Sequence, residues 1–70
     1  MDPLTLQNWF TYHSPTVDQI PKYQAIRDGG LALATAINEN VPDCADKSAA
    51  IRKVREACMT ANAGLACGGK

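Results

Sequence analysis

One break divides this chain. At Val41-Pro42-Asp43 a proline interrupts a long run of residues with helical spacing. The residue before a proline is pushed out of the helical region, and the proline itself removes a helix hydrogen bond. A helix that reaches this point must stop, and the chain must restart beyond it. Upstream, Tyr23, Ile26, Gly30, Leu33, Ile37 and Val41 recur at spacings of three and four, the stripe of an amphipathic helix. Downstream, Ile51, Val54, Cys58, Ala61 and Leu65 repeat the pattern. Two such stripes joined by a short connection cover each other by folding back as an antiparallel helical hairpin. The fold class read from this is all-α.

The boundaries follow from local chemistry. The first helix is assigned to residues 17–40 and the second to 47–66. Thr16 and Gln19 have the spacing of a capping box. Pro21 competes with that start, because it would lie past the first turn; a start one turn later, with Asp18 as N-cap, makes it tolerable. Asp43 or Asp46 can cap the second helix, and each places negative charge at the favourable end of its dipole. Gly68-Gly69 supplies the stop. Within the first helix, Gly29-Gly30 costs about 1 kcal/mol per glycine against alanine. It is either a weak point or the place where another helix crosses closely. Alanines at 49, 50, 57, 61, 63 and 66 keep the second helix thin.

Residues 1–15 form an arm. Leu4, Leu6, Phe10 and Tyr12 alternate as in extended chain, but Asn8-Trp9 breaks the alternation. The arm is read as irregular, with at most one helical turn. Its large apolar side chains need a cover, so it is expected to dock rather than to float. The hairpin and arm make one domain over residues 1–70.

A chain of 70 residues buries a thin core and is marginal alone. Disulfides are not expected as the remedy: Cys44, Cys58 and Cys67 are an odd number without framework spacing. No metal-ligand spacing exists either, and no cofactor is implied. Association of several hairpins would cover their outer faces, including Leu31, which lies off the first stripe. No apolar run approaches the roughly 20 residues that span a bilayer. The opening MDPLTLQNWF has no basic stretch followed by an apolar core, so no targeting segment is expected.

Seven basic residues balance seven acidic ones, which argues against a general polyanion binder. Locally the balance fails: Lys47, Arg52, Lys53 and Arg55 fall within nine residues that contain no acid. They form either a solvated helix face or a phosphate-contacting patch. Catalytic constellations are weak. His13 is the one histidine, and Asp43 and Asp46 are explained by capping. Binding chemistry fits better. Residues 10–27, FTYHSPTVDQIPKYQAIR, gather aromatics, a histidine, prolines and two cations at the junction of arm and helix. Tyr12 either packs in the core or offers its face to a nucleobase, which is worth about 1–3 kcal/mol per base. His13 can hydrogen-bond a base or phosphate. Lys22 and Arg27 stand on the exposed side of the first helix, and Arg27 can fork onto a phosphate with two hydrogen bonds. On the second helix Arg52 and Arg55, with Thr60 and Asn62, offer a second polar set.

These motifs together resemble a family of small phage proteins, the cyclic-oligonucleotide sponges that block the bacterial antiviral signalling system CBASS. The resemblance rests on Phe10-Thr11-Tyr12-His13-Ser14-Pro15, Gln19-Ile20-Pro21-Lys22-Tyr23, Val41-Pro42 and Met59-Thr60-Ala61-Asn62-Ala63, across residues 10–66. It implies a compact homohexamer of helical hairpins that sequesters its ligand in the host cytoplasm and releases it intact. It implies cyclic dinucleotides such as cyclic GMP-AMP held between subunits, with Tyr12 stacked on a base and Arg27 at the phosphate. Lys22 is the competing cation. Some members hold cyclic trinucleotides through an arginine and a hydroxyl of the second helix. Thr60 matches the hydroxyl, but Glu56 stands one turn before it, so the arginine falls to Arg55 or Arg52. The alternative is a small helical nucleic-acid-binding or structural oligomer protein.

Overall fold

The computed structural model describes residues 1–70 and contains three helices and no strand. They are α1 (Pro3–Trp9), α2 (Ile20–Asn40) and α3 (Ala45–Ala66). α2 and α3 pack side by side as the hairpin. The molecule measures 45 × 29 × 15 Å, so in its thinnest direction it is little more than one helix deep. Its radius of gyration is 15.1 Å, against about 11 Å for a compact globule of this length. The consequence is energetic: none of the 70 residues is buried. A single layer has no deep interior, and even the side chains of its seam keep part of their surface in water. No helix is long and apolar enough to cross a membrane.

The seam forms where the two stripes meet. Tyr23, Ile26, Gly30, Ile37 and Val41 of the first stripe are half-buried, as are Ile51, Val54, Cys58 and Leu65 of the second. Two assignments shift by one residue. Leu33 is 54% exposed, and Ala34 takes its place on the seam. Ala61 is exposed, and Asn62 takes its place. At 3.6 residues per turn a spacing of three or of four serves almost equally, so the stripe alone does not choose between neighbours. Gly30 marks the close crossing. A Cβ added there would collide with the Cys58 Sγ, and that sulfur sits 3.8 Å from the Ile26 carbonyl oxygen. Gly29 faces open space.

The connection between α2 and α3 is governed by Pro42. Val41 leaves the helix in extended conformation (φ −101°, ψ 131°) while its N–H still donates to the Ile37 carbonyl at 3.0 Å. Cys44, not Asp43 or Asp46, holds the N-cap position of α3, and it makes no side-chain cap bond. Asp43 instead accepts from Lys47 at 2.9 Å in the one ion pair of the molecule. That bond and the lysine charge hold the Asp43 carboxyl below the ordinary aspartate range. Asp46 lies within the first turn, where its charge favours the dipole. At the far end, Gly68 takes φ +65° and its N–H donates to Leu65, while the Gly69 N–H donates to Gly64 at 2.9 Å. This pair of bonds is a Schellman stop.

The arm departs from its expected irregular form. Residues Pro3–Trp9 make a helix of two turns, with proline in the first turn, where its missing N–H costs nothing. The alternation of Leu4 and Leu6 suggested extended chain, but seven residues are too few for periodicity to decide. The capping box at the start of α2 is formed. The Thr16 N–H donates to Gln19 Oε1 at 3.0 Å, and the Gln19 N–H donates to Thr16 Oγ1 at 3.3 Å. The turn 17–19 that it opens leads into the regular helix at Ile20 and leaves Pro21 in the tolerated first turn.

Candidate ligand-binding site

Some of the candidate side chains lie where the arm meets the two long helices. Residues 10–15 bridge α1 to the capping box without helical structure. Within them Tyr12 is 82% exposed and makes no hydrogen bond. Phe10 is 85% exposed. The reading of Tyr12 as a core residue is therefore excluded for the single chain: its ring lies in solvent. His13 differs. Its ring is half-buried and its Nε2 lies 2.7 Å from the Asn8 carbonyl oxygen. A carbonyl only accepts, so Nε2 carries the proton, and Nδ1 is the nitrogen left for another partner.

Where the arm meets α2, His13, Pro15, Ile20, Tyr23, Gln24 and Arg27 line a shallow groove of about 330 Å³. The structure thus brings His13 and Arg27 together, fourteen positions apart in sequence. Arg27 Nη1 donates to Gln24 Oε1 at 3.3 Å, and Gln24 Nε2 donates to Asp28 Oδ1 at 2.7 Å. The Asp28 carboxylate is taken up by the amide, and Arg27 has no carboxylate partner. Its charge is therefore free for an anion. Lys22 is exposed, unpaired and outside this groove.

Arg27 also reaches a second groove, of about 280 Å³, between α2 and α3. Gly30 and Cys58 are part of its lining, with Arg27, Arg55, Met59 and Asn62 around them. Two guanidinium groups and no acid line it, so its field favours a negative guest. Asn62 Oδ1 is buried here without a hydrogen-bond partner. Such an atom costs about 1–3 kcal/mol until a donor reaches it.

The four α3 residues expected to act together are divided by the helix. Arg55 and Asn62 are seven apart, two turns, and share this groove. Thr60 instead lines a groove of about 520 Å³ walled by Trp9 and Phe10. Arg52 is exposed and lines none of these grooves. Of the basic cluster 47–55, Lys47 is engaged by Asp43, which leaves three cations free.

Three side chains tie the arm and the start of α2 to the carboxyl end of the chain, a role that sequence alone did not assign to them. Asn8 Nδ2 donates to the Cys67 carbonyl at 3.3 Å, Trp9 Nε1 to the Lys70 carbonyl at 3.1 Å, and Gln19 Nε2 to the Leu65 carbonyl at 3.1 Å. Asn8 was visible only as the polar break in the arm's alternation. The three cysteines are free, and no cluster of His, Cys, Asp and Glu is arranged to hold a metal ion.

The family model described as Acb2/Tad1, hairpin domain, matches residues 2–66. The chain belongs to this family. Acb2/Tad1 hairpin domains are those of the anti-CBASS cyclic-oligonucleotide sponges, binding proteins rather than catalysts. The match extends through α1, so the arm is part of the Acb2/Tad1 hairpin domain and not an appendage to it. No curated protein and no solved structure matches the chain.

Proposed function

We propose that this Acb2/Tad1 hairpin chain is a phage immune-evasion protein. It binds cyclic oligonucleotide second messengers in the host cytoplasm and holds them, uncleaved, away from CBASS effectors. The observation that carries the proposal is Tyr12, an 82% exposed ring on a tethered arm in a chain that buries none of its residues. An aromatic face left in water is costly, and a nucleobase stacked on it recovers about 1–3 kcal/mol. Arg27 supplies the phosphate contact, with Lys22 as the nearby alternative and His13 Nδ1 as a further polar group.

One layer of helices cannot enclose a ligand. The exposed faces, with Leu31 at 69% and Phe10 at 85%, would be covered by further copies of the chain, in the hexamer that the family resemblance implies. The pocket is then completed by a neighbouring subunit. A sponge must outcompete the host effector, and a dissociation constant of about 1 nM corresponds to about −12 kcal/mol. Two stacked bases and several charge-assisted phosphate bonds in a desolvated pocket reach that order. Cyclic dinucleotides such as cyclic GMP-AMP are the first ligand class. The groove with Arg55 and the unpartnered Asn62 is the second candidate site, for a cyclic trinucleotide, and Thr60 and Arg52 join it only through a neighbouring copy.

Titration calorimetry with cyclic GMP-AMP and with cyclic trinucleotides, followed by proteolysis of the complex and recovery of the ligand, tests the reading. Nanomolar binding and intact ligand are expected. Absence of binding to every cyclic oligonucleotide, or recovery of a cleaved product, would refute it. A gel shift that weakens steeply with salt would instead favour polyanion binding through Arg52, Lys53 and Arg55.

A further inference from the structure

The last turn of a helix leaves carbonyl oxygens without intrahelical donors. In α3 the Schellman bonds use the carbonyls of Gly64 and Leu65. Leu65 O accepts a second bond, from the Gln19 side chain, and Cys67 O accepts from the Asn8 side chain. Both donors are primary amides, and they stand on either side of the 10–15 segment that carries Tyr12.

Each amide also works locally. The Asn8 carbonyl receives the His13 ring at 2.7 Å, so one residue grips α3 with its side chain and the segment with its backbone. Gln19 uses both ends of its amide: Oε1 accepts from the Thr16 N–H while Nε2 donates to α3. The capping box of α2 and the terminus of α3 are thereby joined through one side chain. Tyr12 itself has no hydrogen bond, so its position is set by the fixed points on either side of it.

We infer that Asn8 and Gln19 are positioning residues. They clamp the arm to the carboxyl end of α3 at two points and hold the Tyr12 ring ready for a base. The inference rests on the proposed stacking role of Tyr12 and goes beyond it. A ring on a loose loop must be ordered on binding, and that ordering lowers affinity; a clamped ring is ordered beforehand.

The test is Gln19→Glu, with Asn8→Asp as an independent second variant. The carboxylate of Gln19→Glu keeps the acceptor for Thr16, loses the donor to Leu65, and sets a negative charge against the negative end of the α3 dipole. Both variants keep the apolar stripes of α2 and α3, so helical content should be retained by circular dichroism. NMR order parameters for residues 10–15 of the free protein should fall. Affinity for cyclic GMP-AMP should weaken by about tenfold. In the Tyr12→Ala background the same substitution should change affinity little, because a residue that acts through Tyr12 is non-additive with it. Unchanged order parameters would overturn the clamp. Looser residues 10–15 with a full additional loss in the Tyr12→Ala background would overturn its action through Tyr12. If the unmodified protein binds no cyclic nucleotide, the functional reading and the clamp's part in binding both fall, while the order parameters still decide whether the clamp exists.

Discussion

The two ends of the hairpin are built by different means. At the closed end, Pro42 stops α2, Val41 turns outward, and the Asp43–Lys47 pair spans one turn of sequence. Every determinant lies within a few residues of the feature it sets. At the open end, Asn8, Trp9 and Gln19 reach across 46 to 61 positions to bond backbone oxygens at or beyond the end of α3. The open end gathers the exposed Tyr12 ring, the half-buried His13 and the entrance to the Arg27 groove. Local rules suffice for making a hairpin, whereas tying the arm to the end of α3 takes parts from distant stretches of chain.

Both ends depend on the seam between them, and breaking the seam should have the largest effect. Gly30→Leu drives a side chain into the Cys58 sulfur. Overpacking of this kind costs about 1–3 kcal/mol, and in a chain with no buried core that should abolish cooperative thermal unfolding. Gly29→Ala, facing open space, should leave the melting temperature unchanged or raise it. Equal effects at the two glycines would contradict the crossing.

Next in size is the open end alone. Tyr12→Ala should leave the circular dichroism spectrum unchanged and weaken cyclic dinucleotide binding by the value of one stacked base, about 1–3 kcal/mol. Unaltered affinity in calorimetry would remove Tyr12 from the site. A smaller effect is expected at the helix stop. Gly68 sits at φ +65°, and Gly68→Ala should cost about 1 kcal/mol, measured as a lower melting temperature. That variant separates a general loss of stability from a specific loss of binding.

The closed end should respond least. Asp43 is fully exposed, and its carboxyl is held low by Lys47. A depressed carboxyl adds stability above its unfolded-state range and loses it as pH falls through the folded one. Solvent screening keeps the contribution small. Asp43→Asn should therefore shift the melting temperature within measurement scatter at neutral pH and erase what little acid dependence the pair contributes. A large shift at pH 7 would mean that the turn is more than a local device.

The same contrast explains what the sequence disclosed. The hairpin was legible because Pro42, Gly30, the Thr16–Gln19 box and Gly68-Gly69 act on their neighbours. The seam was legible to within one position, with Leu33 and Ala61 giving way to Ala34 and Asn62, since helical spacing tolerates either neighbour. α1 escaped because seven residues carry too little periodicity. The caps of α3 went to the wrong residues because Asp43 had a better partner in Lys47 than in a backbone N–H. For the site, residue types pointed to the junction of arm and helix, and Arg27 with His13 do meet in one groove. The division of Arg52, Arg55, Thr60 and Asn62 between faces is a matter of rotation around α3, which a set of residue types does not encode. The anchoring by Asn8 and Gln19 depends on a tertiary meeting that no local pattern announces.

Native mass spectrometry of the protein with cyclic GMP-AMP and a panel of cyclic trinucleotides tests the central claim most directly. It reads the number of chains and the mass of the bound ligand in one spectrum. Hexamers that carry uncleaved cyclic nucleotide are expected, with the dinucleotide held more weakly by the Tyr12→Ala protein. Free monomers without ligand, or a bound mass increased by one water, would contradict it.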